Sequence, residues 1–305
     1  MLTKALNVLK SDNPLQRIIL FVNKTEVLRD LFKGLQNTLH FNTYYKRNIS
    51  FKNEISPDLK NYAEKLEQQG YVDVSALMDQ SILKELESYG TSRLETKNQI
   101  STETQDYGKK IWLRLSDLDK KLSSSHPLLK ISLQENILKI LADYFKKPAF
   151  LDYVLMTLSS NDDGTEKLTQ SQLWHYDRDD HRVVKLFVYL TDVDQLEKGP
   201  FTLFSKPSSQ KFPFNGINRY WTDEEIYSKL PLSELIQMKA PKLSAFLVCT
   251  DQCLHMGSRI KKGHHRLMTT STFITIPASH PWAGSRVYEV NTPISEIQRL
   301  ALQKI

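Results

Sequence analysis

Cysteine is scarce in this chain, with only Cys249 and Cys253 among 305 residues. Two cysteines four positions apart form neither a disulfide framework nor a zinc-finger motif, so we expect both thiols to be reduced and buried. Long apolar runs are also lacking, since RIILFV and VVKLFVYL fall far short of the ~20 residues that span a bilayer. The N-terminus shows no apolar core or cleavage site of a signal peptide. These absences predict a cytoplasmic protein without a membrane partner.

Neither sign of charge dominates the sequence. Lysine and arginine number 41 against 35 acidic residues, which gives a net charge of +6 and a pI near 9.0. The basic residues are spread along the chain and interleaved with acids, whereas a phosphate-binding surface usually clusters them. We therefore expect a small-molecule substrate and no nucleic-acid partner. An anionic substrate would be compatible with the positive net charge of the chain. Monomer and homodimer are both compatible with this composition.

The first half of the chain has the apolar spacing of helices. The segments with this period are LQRIILFVNKTEVLRDLFKGLQNTL, PDLKNYAEKLEQQ, QSILKELESY and LQENILKILADYF. Between them, GYVDVSAL predicts a short strand before a helix that has Asp79 at its N-cap. The polar stretch from 90 to 110 lacks periodicity and predicts a surface loop, with an active-site lid as the alternative.

From Leu151 the pattern changes to short β-rich runs. They are YVLMTLS, SQLWHY, VVKLFVYL, FTLFS, LSAFLVCT and LMTTSTFITI, separated by turn signals such as NDDG, EKGP and KKGHH. This spacing is typical of an antiparallel sandwich or jelly roll. The predicted fold class is therefore α+β, mainly β with a helical N-terminal part.

Two histidines and a carboxylate stand near the ends of these runs. His175 and Asp177 lie in WHYD, and His255 lies in CLHMG. If the strand continues that far, residues 175 and 177 share one face, while Trp174 and Tyr176 point to the other. His255 follows a different run and can arrive from a neighbouring strand. Two imidazoles and one carboxylate are the facial triad of non-haem Fe(II); the alternative is a core histidine paired with Asp177.

Arg266 follows His255 by eleven positions, after the KKGHH turn. Its planar guanidinium suits bidentate pairing with a carboxylate, as a dicarboxylate co-substrate would need; the alternative is a surface or structural arginine. An HxD pair alone is a weak signal in a chain with eight histidines. The second histidine, the arginine and the Gly199-Pro200 pair together favour an iron site. His264 and His265, in the turn itself, are expected at the surface.

Three stretches resemble the phytanoyl-CoA dioxygenase family of Fe(II)- and 2-oxoglutarate-dependent oxygenases. They are SQLWHYDRDDHRVVKLFVYLTDVDQLEKGPFTLF with CLHMGSRIKKGHHR, then YAEKLEQQGYVDVSALMDQSILKEL, and PLLKISLQENILKILADYFKKPAFLDYVLM, which together span roughly residues 58 to 277. The resemblance implies an oxygenase domain over 58–280 with a double-stranded β-helix (jelly roll, cupin-like) core from about 150, flanked by helices. Residues 1–57 would be a helical extension and 281–305 a tail, both of unassigned role.

The resemblance also implies cofactors and a reaction. Fe(II) would bind His175, Asp177 and His255, and Arg266 would hold the distal carboxylate of 2-oxoglutarate, with O2 as the third reactant. Lys185 lies where members of the family often contact the co-substrate; the alternative is a lysine facing solvent at a strand end. The implied reaction is hydroxylation of an unactivated C–H bond, with succinate and CO2 as co-products. Related halogenases replace the carboxylate with a small residue, so Asp177 favours hydroxylation, with desaturation or ring closure as alternatives.

The substrate pocket is the part least defined by the sequence. Candidate residues are Tyr153, Met156 and Trp174, together with the aromatics of 212–221, which could cover the cavity mouth; for each the alternative is core packing. Gly257 stands where the family often has a serine, which removes one expected hydrogen bond to the co-substrate. The turn at 207–210 also departs from the family pattern. Two other functions stay open: a nucleic-acid- or protein-modifying oxygenase of this fold, and a non-catalytic metal- or ligand-binding member.

Overall fold

A computed structural model describes residues 26–39, 51–52, 54–95, 112–115, 121–162, 164, 168, 170–177, 179–212, 220–257, 259–278 and 288–302. In these residues the helices are α1 Glu26–Leu39, α2 Pro57–Gln69, α3 Gln80–Glu95, α4 Pro127–Ser132, α5 Glu135–Phe145, α6 Lys206–Ser209, α7 Asp223–Tyr227 and α8 Glu296–Leu302. The strands are β1 Tyr71–Asp73, β2 Trp112–Arg114, β3 Leu122–Ser123, β4 Phe150–Ser160, β5 Val184–Tyr189, β6 Phe201–Phe204, β7 Leu235–Met238, β8 Ala245–Cys249, β9 His255–Met256, β10 His265–Ile274 and β11 Tyr288–Glu289.

Two antiparallel sheets make up most of the strand-rich part. The larger has the order β1-β8-β5-β10-β4-β2, and the smaller has the order β7-β6-β9. The long strands β4 and β10 pair from His265 opposite Ser160 to Ile274 opposite Phe150. A separate parallel pair joins β3 and β11. Helices precede antiparallel strands as expected, which confirms the predicted α+β class at this level.

Helix α2 begins and ends where local chemistry requires it. Ser56 accepts a hydrogen bond from the backbone N–H of Leu59, Pro57 occupies the first turn, and Gly70 ends the helix with φ of 78°. Proline suits the first turn because its missing N–H is not needed there, and glycine adopts positive φ without strain. The helix covers the segment predicted for it and packs on α5 and β1.

Helix α3 is longer than the sequence pattern predicted. Asp79 caps it by accepting the backbone N–H groups of Ser81 and Ile82 at 2.7 and 3.1 Å, but the helix continues past Gly90 to Glu95. The loop predicted from residue 90 is therefore wrong for 90–95. A Cβ on Gly90 would lie 3.0 Å from the Leu190 side chain, so this glycine permits close packing and does not end the helix. Residues 96–111, where a lid was considered, lie outside the described residues.

The two faces of the larger sheet have different roles. Side chains such as Val154 and Met156 on β4 join the apolar core beneath the helices, whereas Tyr153 and Leu155 line a cavity on the other face. The structure therefore does not bring Met156 to the predicted substrate pocket. Tyr153 and Met156 are three residues apart on a strand, and period-two alternation puts them on opposite faces.

Helices also lie near both ends of the described part of the chain. Helix α1 confirms residues 26–39 of the helix predicted over 15–39, and its Val27, Leu31 and Leu39 side chains are exposed; residues 15–25 lie outside the described residues. Near the C-terminus, α8 packs on α5 and β4, so part of the predicted tail belongs to the core. The domain boundaries at 58 and 280 stay predictions. None of the described helices combines the length and apolar character needed to cross a membrane.

Candidate metal and co-substrate site

The two histidines lie side by side because their backbones pair. A 3-10 turn, Gln170–Gln172, and two isolated bridges occupy the segment predicted as the strand SQLWHY. The N–H of His175 donates to the carbonyl of His255 at 2.9 Å, and the N–H of His255 donates back at 3.0 Å. The imidazole centroids are 4.3 Å apart as a result.

Asp177 completes a cluster of three donors. Its Oδ1 lies 3.9 Å from His175 Nε2, and its Oδ2 lies 3.7 Å from His255 Nε2. One ligand atom from each residue falls within 4.8 Å of the others. The Asp177 N–H donates to the Thr250 carbonyl at 2.9 Å, which fixes the backbone that carries the carboxylate. The structure thus brings together the three residues that the sequence proposed as metal ligands.

Hydrogen bonds set the tautomer of both imidazoles. The Nδ1 of His175 lies 2.8 Å from the Leu173 carbonyl, and the Nδ1 of His255 lies 2.8 Å from the Cys253 carbonyl. A carbonyl only accepts, so each Nδ1 carries the hydrogen and each Nε2 presents a lone pair to Asp177. Burial, with the neighbouring His255, lowers the pKa of His175 to about 3, and burial also lowers the pKa of His255. Two neutral imidazoles and a carboxylate fit a divalent iron ion.

Lys185 enters the same cavity from β5 and contacts Asp177. Its Nζ lies 2.6 Å from Asp177 Oδ2 and 3.7 Å from Asp179 Oδ2, with 12% of its side chain exposed. Burial alone would lower the pKa of this amine, but Asp177, Tyr153 and Asp179 raise it well above 10.5. Burial would likewise raise the pKa of Asp177, but Lys185 and the two histidines hold it low. The alternative of a lysine facing solvent is therefore wrong.

Arg266 is buried without an acidic partner. Only 2% of the residue is exposed, its Nη1 donates to the Gly199 carbonyl, and its buried Nε has no hydrogen-bond partner. Among the residues that the structure describes, no Asp or Glu oxygen lies within 4 Å of it. Burial lowers the pKa of this guanidinium. Tyr189 packs its ring 5.9 Å from the guanidinium carbon but supplies no negative charge. A buried cation without a counter-ion is costly, so the site favours an anion that pairs with it.

One cavity connects the donor cluster with Lys185 and Arg266. Its volume is about 290 Å³, and its lining includes Tyr153, as predicted, and Lys185 and Arg266. Phe187, which strand alternation places on the same face as Lys185, also lines the cavity. Sequence reasoning missed other lining residues, among them Arg114, Met268 and Thr270. Strand alternation would have found Met268 and Thr270, which share a face with Arg266. Nothing in the sequence marked Arg114.

Trp174 has a structural position outside the cavity, contrary to its proposed place in the substrate pocket. The side chain is fully buried, packs on Phe204 and donates from Nε1 to Asp223 at 2.8 Å. Asp223 also receives two hydrogen bonds from Arg259, whose Nε donates to the Gln172 carbonyl. This cluster ties the residues before His175 to the turn after His255. Its members are far apart in the sequence, which gave no signal for it.

Close backbone approach explains the glycine at 257. Its N–H donates to the Ser171 carbonyl at 2.7 Å, and a Cβ would lie 3.2 Å from that oxygen. A serine would therefore crowd the turn that precedes His175. In the proposed mouth segment, Tyr220 lines the cavity with its ring 5.6 Å from that of His175, whereas Phe212 and Trp221 are buried in an aromatic cluster. Residues 213–219 lie outside the described residues.

Comparison with known proteins shows a shared fold. No family model matches the chain, and no curated protein matches it, so the resemblance to the phytanoyl-CoA dioxygenase family stays a prediction. EctD from S. alaskensis, solved with 2-oxoglutarate and 5-hydroxyectoine, is similar with a TM-score of 0.52 and 12% identity over 75% of this chain and 79% of that chain.

Two further solved structures agree with this likeness. AviO1 from Streptomyces viridochromogenes Tue57 has a TM-score of 0.51 and 13% identity over 74% of this chain and 98% of that one. The epimerase SnoN, in complex with Fe3+, alpha ketoglutarate and nogalamycin RO, has a TM-score of 0.50 and 16% identity over 74% and 87%. At such identities the likeness establishes the fold alone.

Proposed function

We propose that this chain is an Fe(II)- and 2-oxoglutarate-dependent dioxygenase that hydroxylates an unactivated C–H bond of a small molecule. We further propose that its two antiparallel sheets form the double-stranded β-helix implied by the sequence. The observation that carries the proposal is the presence, in one cavity, of a His-Asp-His cluster and a buried guanidinium that has no acidic partner among the residues the structure describes. A metal ion and a dicarboxylate would satisfy both features.

In this proposal each charged group has a distinct role. His175, Asp177 and His255 hold Fe(II), and Arg266 pairs with the distal carboxylate of 2-oxoglutarate. When bound, the iron supplies the redox chemistry by which O2 oxidises both 2-oxoglutarate, to succinate and CO2, and the substrate. The protein contributes preorganised ligands, since the backbone carbonyls at 173 and 253 already orient both imidazoles.

Aromatic side chains exclude water from one side of the cluster. Phe201 stacks on His255 with centroids 5.3 Å apart, and Phe187 lies 4.5 Å from Phe201. Both phenylalanines line the cavity beside the proposed ligands. An apolar wall here protects reactive species from side reactions and strengthens the pairing of Arg266 with an anion.

Three features support hydroxylation of a small molecule. Asp177 retains the carboxylate that a halide would have to replace. The cavity of about 290 Å³ has the scale of small-ligand sites. EctD, of similar fold, was solved with 5-hydroxyectoine and 2-oxoglutarate. SnoN is an epimerase of similar fold, so the same scaffold hosts other outcomes. The cytoplasmic location, the monomer or homodimer state and the lack of a nucleic-acid partner stay predictions.

The test is metal-dependent turnover of 2-oxoglutarate. Protein reconstituted with Fe(II) should form succinate from 2-oxoglutarate in air, and His175→Ala should abolish this, whereas His265→Ala, at an exposed strand end, should not. Arg266→Met should weaken 2-oxoglutarate binding about 30-fold or more, because truncating a buried charge pair costs roughly 2 kcal/mol or more. Arg299→Met, in an exposed ion pair, is the matched control.

Two results would contradict the proposal. Succinate formation by His175→Ala at the wild-type rate would show that the ligand assignment is wrong. Reconstituted wild-type protein that neither binds 2-oxoglutarate, measured by calorimetry, nor forms succinate would exclude the dioxygenase function and favour a non-catalytic ligand-binding role.

A further inference from the structure

Lys185 and Arg266 approach different parts of the cavity. Lys185 on β5 stands opposite Thr272 on β10, and Arg266 lies six residues earlier on that strand. A strand rises by about 3.3 Å per residue, so the two backbone positions are roughly 20 Å apart along the sheet. One carboxylate group cannot pair with both side chains. Because Lys185 already has an acidic partner and Arg266 has none in the described part of the chain, the role of Lys185 needs a separate explanation.

We propose that Lys185 is a positioning residue of the metal site, which holds one oxygen of Asp177 so that the carboxylate offers a metal ion a single oxygen. This inference rests on the proposed function and assigns Lys185 to the metal ligand in place of 2-oxoglutarate. The ion pair is short, at 2.6 Å, and buried on both sides, with 12% and 15% of the two side chains exposed.

The coordination chemistry gives this contact a purpose. A facial triad functions because three protein atoms leave positions open for a bidentate co-substrate and for O2. A carboxylate that bound the metal through both oxygens would occupy one of these open positions. Lys185 forms its ion pair with Oδ2 of Asp177, an oxygen that lacks a hydrogen bond of good geometry and lies 3.7 Å from His255 Nε2. In our proposal the ammonium charge beside Oδ2 leaves Oδ1, on the side of His175, as the oxygen that a metal would bind.

Neighbouring groups hold the lysine in place. Asp179 lies 3.7 Å from its Nζ, and the ring centroid of Tyr153 lies 6.0 Å from the same atom. The Tyr153 hydroxyl donates to Asp179 at 3.3 Å, so the aromatic ring and the second carboxylate are linked. Lys185 therefore has a defined position between two carboxylates, as a group that orients another side chain requires.

Cobalt(II) binding in the absence of 2-oxoglutarate tests the inference, because it reports on the metal site alone. At pH 8 we expect Lys185→Met to bind Co(II) about tenfold more tightly, since a repelling cation is removed and a second carboxylate oxygen becomes available. The visible spectrum of the bound Co(II) should change, because a second carboxylate oxygen then takes a position otherwise held by water. Lys185→Arg, which keeps a cation beside Asp177, should restore the wild-type spectrum.

Further variants and outcomes make the test decisive. Lys206→Met is the matched control, because Lys206 forms a 2.7 Å ion pair with Glu67 with only 18% of its side chain exposed; it should leave Co(II) binding unchanged. Lys185→Gln replaces the methionine variant if that protein does not fold. Unchanged Co(II) affinity and spectrum in Lys185→Met, with weaker 2-oxoglutarate binding, would overturn the inference and make Lys185 a co-substrate contact. Failure of the wild-type protein to bind Co(II) would instead overturn the proposed function, and the inference with it.

Discussion

Two of the cationic residues that line the cavity, Lys185 and Arg266, have opposite surroundings. At one end, Lys185 lies between Asp177 and Asp179, at 2.6 and 3.7 Å from their oxygens. At the other end, Arg266 is more deeply buried and donates to the backbone at Gly199, with no acidic side chain beside it in the described part of the chain. Both residues have the same charge and line the same cavity, so the difference lies in what the protein supplies as partner.

This difference distinguishes a cation that pairs with another residue of the protein from a cation that is available to a ligand. In a buried ion pair the two charges compensate each other, and the loss of either partner leaves the other uncompensated. A buried cation without a counter-ion destabilises the ligand-free fold, and a bound anion relieves that cost. The partner of a cation therefore indicates its role better than its place in the cavity does. On this basis we propose that Lys185 orients Asp177 and that Arg266 binds an anionic ligand.

The largest expected effect is on the stability of the metal-free protein. Lys185→Met leaves the Asp177 carboxylate buried and unpaired, and we expect the free energy of unfolding to fall by roughly 3 kcal/mol. Adding Asp177→Asn to this variant should recover most of the loss, because no charge is then left buried. Urea unfolding in the presence of a chelator measures both values. Equal stability of the single and double variants would show that the pair is not coupled.

Arg266→Met should behave in the opposite way. Without ligand, its free energy of unfolding should be unchanged or higher by about 1 kcal/mol, because a buried charge is removed. Wild-type protein with metal should gain about 2.7 kcal/mol from 2-oxoglutarate at one hundred times its Kd, and the variant should gain far less at the same concentration. Thermal unfolding with and without 2-oxoglutarate is the measurement. A loss as large as that of Lys185→Met in the ligand-free state would mean that Arg266 has a structural role.

Acidification should lower the free energy of unfolding through the histidines at one end of the cavity. Arg266, at the other end, should not contribute to this pH dependence. The pKa of His175 is about 3 in the folded protein against an ordinary value of 6.5, so unfolding takes up a proton between these values. The free energy of unfolding of the metal-free protein therefore falls as the pH decreases from 6.5. The contribution of Asp177 to the unfolding free energy changes with pH in the same direction, because its pKa is also held low. This contribution is lost only near and below pH 4.

The window from pH 6 to pH 5 isolates the histidines. His175→Asn should reduce the slope of the unfolding free energy against pH by about 1 kcal/mol per pH unit, since one fewer group takes up a proton on unfolding. Arg266→Met should keep the wild-type slope, because guanidinium does not titrate there. An unchanged slope in His175→Asn would mean that this imidazole already carries a proton in the folded protein.

Local patterns predicted much of the fold and the donor cluster. The helix PDLKNYAEKLEQQ has a cap at each end, and the HxD spacing places His175 and Asp177 on one side of the chain. The error at Met156 was avoidable, since alternation from Tyr153 already excluded a shared face. Long-range contacts were not readable in the same way. The loop was predicted to begin at Gly90 because the sequence does not show that the side chains of Leu190, Leu267 and Met156 pack against this glycine.

The rest of the site depends on residues that meet only in the folded chain. Trp174, Asp223 and Arg259 form a hydrogen-bonded cluster across 36 and 49 positions of sequence, and no short motif encodes it. The partner of Lys185 was equally hidden. The family resemblance suggested a co-substrate contact for Lys185, with a lysine facing solvent as the alternative, but the identity of the nearest carboxylate depends on where Asp177 and Asp179 lie in the folded chain.

The smallest expected effect is at Asp179, the second carboxylate beside Lys185. Its side chain is 37% exposed and lies 3.7 Å from Nζ, and ion pairs in such positions contribute about 0–1 kcal/mol. Asp179→Asn should therefore lower the free energy of unfolding by less than about 1 kcal/mol and leave the Co(II) spectrum as in the wild-type protein. If Asp179→Asn instead matched Lys185→Met in stability and spectrum, the lysine would depend on both carboxylates together. The short contact with Asp177 would then not be what distinguishes Lys185 from Arg266.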